Sequence, residues 1–485
     1  MFGKIELECS KERVDAAYTK FIDCERSVRE NDENCPTDDL LRFDRISRLL
    51  FGQLFSNVDL RIHDGDVLPR HGPGHTADHL KGNRKYLQTE WTQRLEKIFP
   101  ASEYLFPSRS NWREAQRVNT LEPGAERPVR VITVPKTLKT PRIIAIEPTC
   151  MQYMQQGILE ILVNEVKKDV TLDTLMGFDD QTPNQVLARQ GSSDGSLATL
   201  DLSEASDRVS NQLVRRLLRH HPWLFQAVDA TRSRKADVPG YGVIRLAKFA
   251  SMGSALCFPF EAMVFLTLSF CGIEKSLNRP LTKALIKGYL GQVRVYGDDI
   301  IIPVDMVSLV VSSLETFGFK VNLSKSFWTG KFRESCGKEY YDGHDVSIVK
   351  VRRMLPARRA DVRELVSTVA LRNLFYKDLM WQTARHLDAV IENFIKVPIV
   401  ADTSPSLGRF SYLGYETHRM DEALHSPLVR GYVVVPKIPR SPLGGYGALL
   451  KCLLKRGVDP LAEDHLERSG RPTSVDIRRR WIRPF

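Results

Sequence analysis

Between Val293 and Val304 the chain reads VRVYGDDIIIPV, and this stretch constrains it most. Two runs rich in β-branched residues flank Gly297-Asp298-Asp299, the pattern of an antiparallel hairpin closed by a tight turn. Gly-Asp is ordinary turn chemistry, so the turn alone carries little information. The unusual feature is two adjacent carboxylates in the most apolar hairpin of the sequence. Two unit charges about 4 Å apart repel by about 4 kcal/mol at an effective dielectric of 20. Carboxylates crowded and half-buried in this way call for a cation. The expectation is a sheet through this hairpin with metal chemistry at its turn.

A second segment, Ser196 to Arg219 (SLATLDLSEASDRVSNQLVRRLLR), places Leu197, Thr199 and Leu200 in a short strand ending at Asp201. Ser203 and Ser206 are the expected helix caps, and Val209, Leu213 and Leu217 fall on the apolar face of the next helix. An Asp at a strand-to-helix corner can chelate, or can simply serve the helix dipole. Taken together, Asp201, Asp298 and Asp299 form a candidate catalytic and metal-binding triad. Hard oxygens from neighbouring strands suit Mg²⁺, which keeps waters and takes further ligands from phosphates. Two such ions about 4 Å apart, with Mn²⁺ an acceptable substitute, are the equipment of nucleotidyl transfer.

Phe249 to Phe265 (FASMGSALCFPFEAMVF) puts the small-residue loop Ser251-Met252-Gly253-Ser254 before an apolar helix. Glycine lets a backbone approach a base or sugar and serine supplies a hydroxyl, although an ordinary helix entry would look the same. Arg127 to Pro148 reads as strand, turn, strand, with Lys136, Lys139 and Arg142 crowding the turn. Neither GxxxxGK[ST] nor a GxGxxG opening a helix occurs, so any triphosphate is held by metals and this basic turn. His71, His75 and His79 are spaced four apart, but Gly72-Pro73-Gly74 breaks a helix there. That segment is expected to be a structural loop.

The net charge of +11 points weakly to a polyanion, and its distribution says more. Basic residues dominate Arg127–Arg142, Arg208–Lys248 and Lys331–Arg363. Arg215, Arg216 and Arg219 are candidate phosphate contacts to RNA. With 42% hydrophobic and 27% charged residues in 485, the chain is neither disordered nor fibrous and can bury a large core. The eight cysteines show no CxxC pair, which fits a reducing compartment. The start, MFGKIELECSKERVD, lacks an apolar signal core, and the longest nearly apolar run, Ala262–Ile273, is too short to span a membrane and reads as a buried helix. Val14, Tyr18 and Phe21–Ile22, then Leu41, Ile46, Leu49 and Leu50, predict amphipathic helices in residues 1–60.

Basic turn, strand aspartate, Ser-Gly loop and GDD hairpin stand in the order found in the palm of a viral RNA-dependent RNA polymerase. The stretches GSLATLDLSEASDRVS, FASMGSA, VYGDDII and FGFKVNLSKSFWTGKFRESCG resemble the catalytic subunit of RNA-phage (levivirus, Q-beta type) replicases. The resemblance is clear over about residues 127–350. It implies that Asp201 and Asp298 bind both metals with Asp299 assisting, and that Asp207 lies near the incoming ribose. It places Ser251 and Gly253 at the sugar and template pocket, and Lys136, Lys139 and Arg142 on the triphosphate. Lys325 would protonate departing pyrophosphate, and Phe332–Gly337 would grip the product 3′ end. Where the family often has a threonine four residues after Gly253, this chain has Cys257, a weaker hydrogen-bonding group.

The fold implied is α+β: a right-hand polymerase of fingers, palm and thumb, its antiparallel palm sheet backed by helices. Residues 1–190 would hold the N-terminal region and fingers, including the basic turn 127–148. Residues 191–355 would form the palm, with a fingers insertion at about 222–250, and 356–485 a mainly helical thumb and C-terminal region. The activity implied is RNA-directed RNA synthesis from NTPs on a single-stranded RNA template, in the cytoplasm of an infected bacterium and away from membranes. Partners implied are the elongation factors Tu and Ts and, in some cases, a ribosomal RNA-binding protein. A reverse transcriptase shares the Y-x-D-D pattern, but no aromatic gate follows Asp201 within Leu202–Asp207. A non-catalytic RNA-binding protein with a polymerase-like body would have no use for all three carboxylates.

Overall fold

The computed structural model describes residues 1–5, 7–135, 140–437, 440–456 and 475–485. Two long helices open it, α1 (Lys11–Asn34) and α2 (Thr37–His63), separated at Pro36. Tyr18, Phe21, Cys24 and Val28 form the buried stripe of α1. In α2 the stripe runs through Phe43, Ile46, Leu50, Leu54 and Val58, whereas Leu41, expected to join it, is exposed.

The basic-turn segment forms the hairpin β1 (Val129–Val134) and β2 (Arg142–Ile146). Next come α3 (Thr149–Lys168), α4 (Thr182–Asp194), β3 (Leu197–Leu200), α5 (Asn211–Leu218) and α6 (Pro222–Thr231). A second hairpin, β4 (Lys235–Val238) and β5 (Gly242–Arg245), joins the first in a four-stranded sheet of order β2-β1-β4-β5. Residues 235–245 thus return to the sheet of the basic turn. Val129, Val131, Ala145, Ala236 and Val238 pack beneath it against Tyr18 and Phe21 of α1.

The centre of the molecule is α7 (Cys257–Leu277), buried along nearly its whole length. Among the described residues it is the one helix long and apolar enough to cross a membrane, and it lies instead in the core. It packs on α2 and on α8 (Val307–Thr316). Beside it, β3, β6 (Arg294–Tyr296) and β7 (Asp299–Pro303) form an antiparallel sheet of order β3-β7-β6. Ile300, Ile301 and Ile302 are buried on both faces of β7, as expected of a strand between layers. The following hairpin, β8 (Phe332–Ser335) and β9 (Lys338–Tyr341), is tied to β3 by the buried Arg333, whose Nε donates to the Leu197 carbonyl at 2.6 Å.

Two expectations need correction. Ser203 and Ser206 are not helix caps. Ser203 pairs with Lys320 in a two-residue ladder, and Ser206 Oγ donates to Glu261. The cap of α5 is Ser210, whose Oγ accepts from the Gln212 amide at 2.9 Å. Among its described residues the C-terminal region mixes helices with a sheet, rather than being mainly helical. After the pair α9 (Val362–Lys377) and α10 (Trp381–Glu392) comes a three-stranded sheet, β10 (Arg419–Asp421), β11 (Ser426–Pro436) and β12 (Val475–Ile482), with α11 (Gly445–Leu454) between its last two strands. The β-branched run in LVRGYVVVP outweighs helix propensity there.

Candidate active site

Register brings the three predicted carboxylates to one end of the central sheet. Leu200 of β3 pairs with Ile300 of β7, so the next step along the ladder sets Asp201 beside Asp299. Asp299 in turn pairs with Tyr296, leaving Gly297-Asp298 as the turn between β6 and β7. Neighbouring strands lie about 5 Å apart, so residues almost a hundred positions apart meet at one edge. Gly297 has φ +61°, and a Cβ there would stand 2.3 Å from the Phe258 ring of α7. Only glycine lets the turn sit so close to that helix.

Each carboxyl has its own surroundings. The Asp201 amide donates to Ser326 Oγ at 3.0 Å, Asn322 Nδ2 donates to its carboxylate at 2.9 Å, and Lys325 Nζ stands 3.9 Å away. Burial pushes the Asp201 carboxyl above its ordinary range; Lys325 opposes this and Asp298 adds to it. Asp299 is pushed up to about 7 by burial and then by the charge of Asp298. Its Oδ1 accepts from Ser335 Oγ at 3.4 Å, so this carboxyl leans toward the β8–β9 turn. A fourth carboxyl, Glu261 on α7, accepts from Ser206 at 2.8 Å and is raised to about 8, by burial first and Asp298 second.

Crowded carboxylates that raise one another's pKa values reverse their mutual cost when a cation binds. The expected triad is nonetheless not a closed cage: among the described residues no three His, Cys, Asp or Glu side chains stand together so as to hold an ion. In general Mg²⁺ takes one or two protein carboxylates and fills its shell with water and phosphate oxygens. Asp298 is exposed, Asp201 is half-buried beside Asn322 and Lys325, and Asp299 is engaged by Ser335 at the β8–β9 turn.

Beside this edge lies a second cluster. Asp207 Oδ1 accepts from Ser251 Oγ at 2.9 Å and from Lys248 Nζ at 3.0 Å. Lys248 is fully buried, 3.4 Å from Glu25 and 3.4 Å above the Phe21 ring. Arg232, itself buried, donates to the carbonyls of Leu246, Lys248 and Phe249 and so fixes this segment. Ser251 therefore reaches Asp207, another of the residues singled out in the sequence. At Gly253, with φ +130°, a Cβ would lie 2.0 Å from the Ala145 carbonyl. Its lack of a side chain lets the loop close on β2, where the Ala145 amide donates to Met252 at 2.8 Å.

Arg142 stands exposed at the start of β2, while Lys136 and Lys139 lie outside the described residues. The three arginines proposed for RNA are engaged within the molecule. Arg215 pairs with Asp229 at 3.1 Å and stacks on Phe225, and Arg216 and Arg219 both reach Asp44 at 2.8 Å. They fasten α5 to α2 and α6. His71 stacks on Tyr153 at 4.3 Å with Tyr86 edge-on, so its loop is a structural plug. Asn322, Ser326, Lys248 and Glu261 were missed by sequence reasoning. Asn322 and Ser326 sit in the VNLSKSF stretch, whose polar residues at alternate positions were the available signal.

A family model described as RNA replicase, beta-chain matches residues 107–370. The RNA-directed RNA polymerase beta chains of Enterobacteria phage fr and Escherichia phage MS2 are each 40% identical over 216 residues, 44% of this chain and 36% of theirs. The RNA-directed RNA polymerase subunit beta of Escherichia virus Qbeta is 38% identical over 225 residues, 46% of this chain and 35% of its own. The matched stretch thus spans about a third of the curated relatives' length. Similar solved structures include an RdRp complex (TM-score 0.40, 13% identity, 69% of this chain and 31% of that one). Another is the RNA-dependent RNA polymerase of a human picorbirnavirus (TM-score 0.38, 11% identity, 56% of each chain).

Proposed function

The chain belongs to the RNA replicase, beta-chain family, and on that premise we propose that it is an RNA-directed RNA polymerase that copies a phage RNA genome in its bacterial host. The observation that carries this reading is the ladder register, which sets Asp201 beside the Asp298-Asp299 turn. Asp201 and Asp298 would hold Mg²⁺. When bound, paired Mg²⁺ ions supply charge neutralisation at the attacking 3′-hydroxyl, the α-phosphate and the departing pyrophosphate.

The chain's own groups do the rest. Asp207, held by Ser251 and the buried Lys248, presents a fixed acceptor to a ribose 2′-hydroxyl. Lys325, 3.9 Å from Asp201 and half exposed, is within reach of the leaving pyrophosphate as a proton donor. Arg142, with Lys136 and Lys139, meets the triphosphate. Watson–Crick pairing with the template selects the base, and the protein contributes orientation and electrostatics. In this reading residues 191–355 are the palm of a right hand, the four-stranded sheet belongs to the fingers, and residues after 356 form the thumb side. The same resemblance implies elongation factors Tu and Ts and a ribosomal RNA-binding protein as host partners.

The test is nucleotide incorporation on a single-stranded phage-like RNA with four NTPs and Mg²⁺, with and without host lysate. Asp298→Ala is expected to lower incorporation by at least about a hundredfold, about 2.7 kcal/mol of barrier, with RNA still bound. Activity within about tenfold of the parent contradicts the reading.

A further inference from the structure

The C-terminal sheet lies outside the family-matched residues 107–370 and carries an arginine-rich surface around an exposed tryptophan. Its last strand, β12, reads VDIRRRWI, and Arg478, Arg479, Arg480 and Trp481 are all exposed. Register places Arg430 of β11 opposite Trp481, and Tyr432 opposite Arg479. Side chains two apart share a face, so Arg430, Arg479 and Trp481 stand together. Arg419 of β10, opposite Leu428, is on that face too. The Arg419 guanidinium lies 4.2 Å from the Trp481 ring centroid, and that of Arg430 lies 5.9 Å from it. Toward α9 the same face is buried, with Tyr432 packed among Leu365, Val369 and Ile391. The aromatic and its arginines therefore sit on a rigid support.

Charge separates this face from the basic segments that sequence inspection favoured. Arg215, Arg216 and Arg219 each have a carboxylate partner. Among the described residues, no ion pair involves Arg419, Arg430, Arg478, Arg479 or Arg480. Clustered guanidiniums without counter-charges favour a polyanion. An exposed indole beside them adds an aromatic surface, which a duplex backbone cannot use and an unpaired base can.

We propose that this sheet face is a docking track for single-stranded RNA, with a base stacked on Trp481 and the phosphates on Arg419, Arg430 and Arg479. The proposal rests on the reading that the chain works on RNA, and it adds a contact surface on a sheet separate from the one that carries the carboxylates. It is tested on the full chain by fluorescence anisotropy with a labelled oligouridylate, without NTPs or Mg²⁺, across a salt series. Trp481→Ala is expected to weaken binding by at least about fivefold, and Trp481→Phe to retain most of it, because any aromatic face stacks. The triple variant Arg419→Ala/Arg430→Ala/Arg479→Ala is expected to flatten the log K against log salt slope by about 2, at about 0.7 per phosphate contact on a single strand.

Parental affinity and slope in both Trp481→Ala and the triple variant overturn the proposal and leave the face to an acidic protein partner. A duplex RNA of equal length that competes as well as the single strand overturns it too. Nucleotide incorporation is measured in parallel. Unchanged binding beside normal incorporation rejects the track and leaves the polymerase reading standing. Track-dependent binding by a chain that incorporates nothing does the reverse.

Discussion

Lys248 is the side chain whose surroundings say most about how the Asp207–Ser251 cluster, proposed to face the nucleotide, is built. A fully buried ammonium must be paired, and it is, by Asp207 and Glu25 with the Phe21 ring beneath it. Glu25 also accepts the Ala247 amide at 2.6 Å. Removing one partner of such a pair strands the other charges in the interior. Lys248→Met is therefore expected to cost about 3–5 kcal/mol, read as a lower urea midpoint at an unchanged m-value. Glu25→Gln, which keeps the hydrogen-bonding shape, is expected to cost less. The carboxylates themselves were legible in the sequence because GDD between β-branched runs and an Asp ending a strand are local patterns. Lys248 was not legible, because its partners on α1 lie more than 200 positions away and no local pattern marks them.

At the scale of elements, strands and helices with strong periodicity followed from the sequence: the hairpin 294–303, the helix around 257–277, and the two helices before residue 64. Capping did not, because Ser203 and Ser206 are drawn away by Lys320 and Glu261, contacts that only tertiary packing creates. The loop 64–82 was read as structural, and its physics makes a pH prediction. Burial and then the neighbouring Lys85 push His71 down to about 3. Lys85 Nζ meanwhile donates to the Gly72 carbonyl at 2.7 Å and to Gly74. The folded state thus resists a proton that the unfolded chain accepts from about pH 6.5 downward. Its contribution is fully present above about 6.5 and is lost as pH falls toward 3, with a slope of up to about 1.4 kcal/mol per pH unit. His71→Phe keeps the stack on Tyr153 and removes the titration. Its unfolding free energy, measured from pH 7 to 4, is expected to fall less steeply than the parent's. Parallel curves would mean that this ring is protonated in the folded state.

Over the whole molecule, the order of motifs along the chain announced which segments must converge, but not the contacts that hold them. The four-stranded sheet unites residues 129–146 with 235–245, and Gly253 locks the loop before α7 onto it. The C-terminal sheet was hidden because a helix separates β11 from β12 and the three consecutive arginines of β12 mask its alternation. The polymerase account itself turns on one proposal: that β3 and the β6–β7 turn together make a cation site that neither makes alone. Mn²⁺ binding to the purified chain, titrated by electron paramagnetic resonance for the parent, Asp201→Asn and Asp298→Asn, tests this most directly. The account predicts that each substitution alone weakens Mn²⁺ binding by at least about tenfold, about 1.4 kcal/mol. Parental Mn²⁺ affinity in both variants would contradict it.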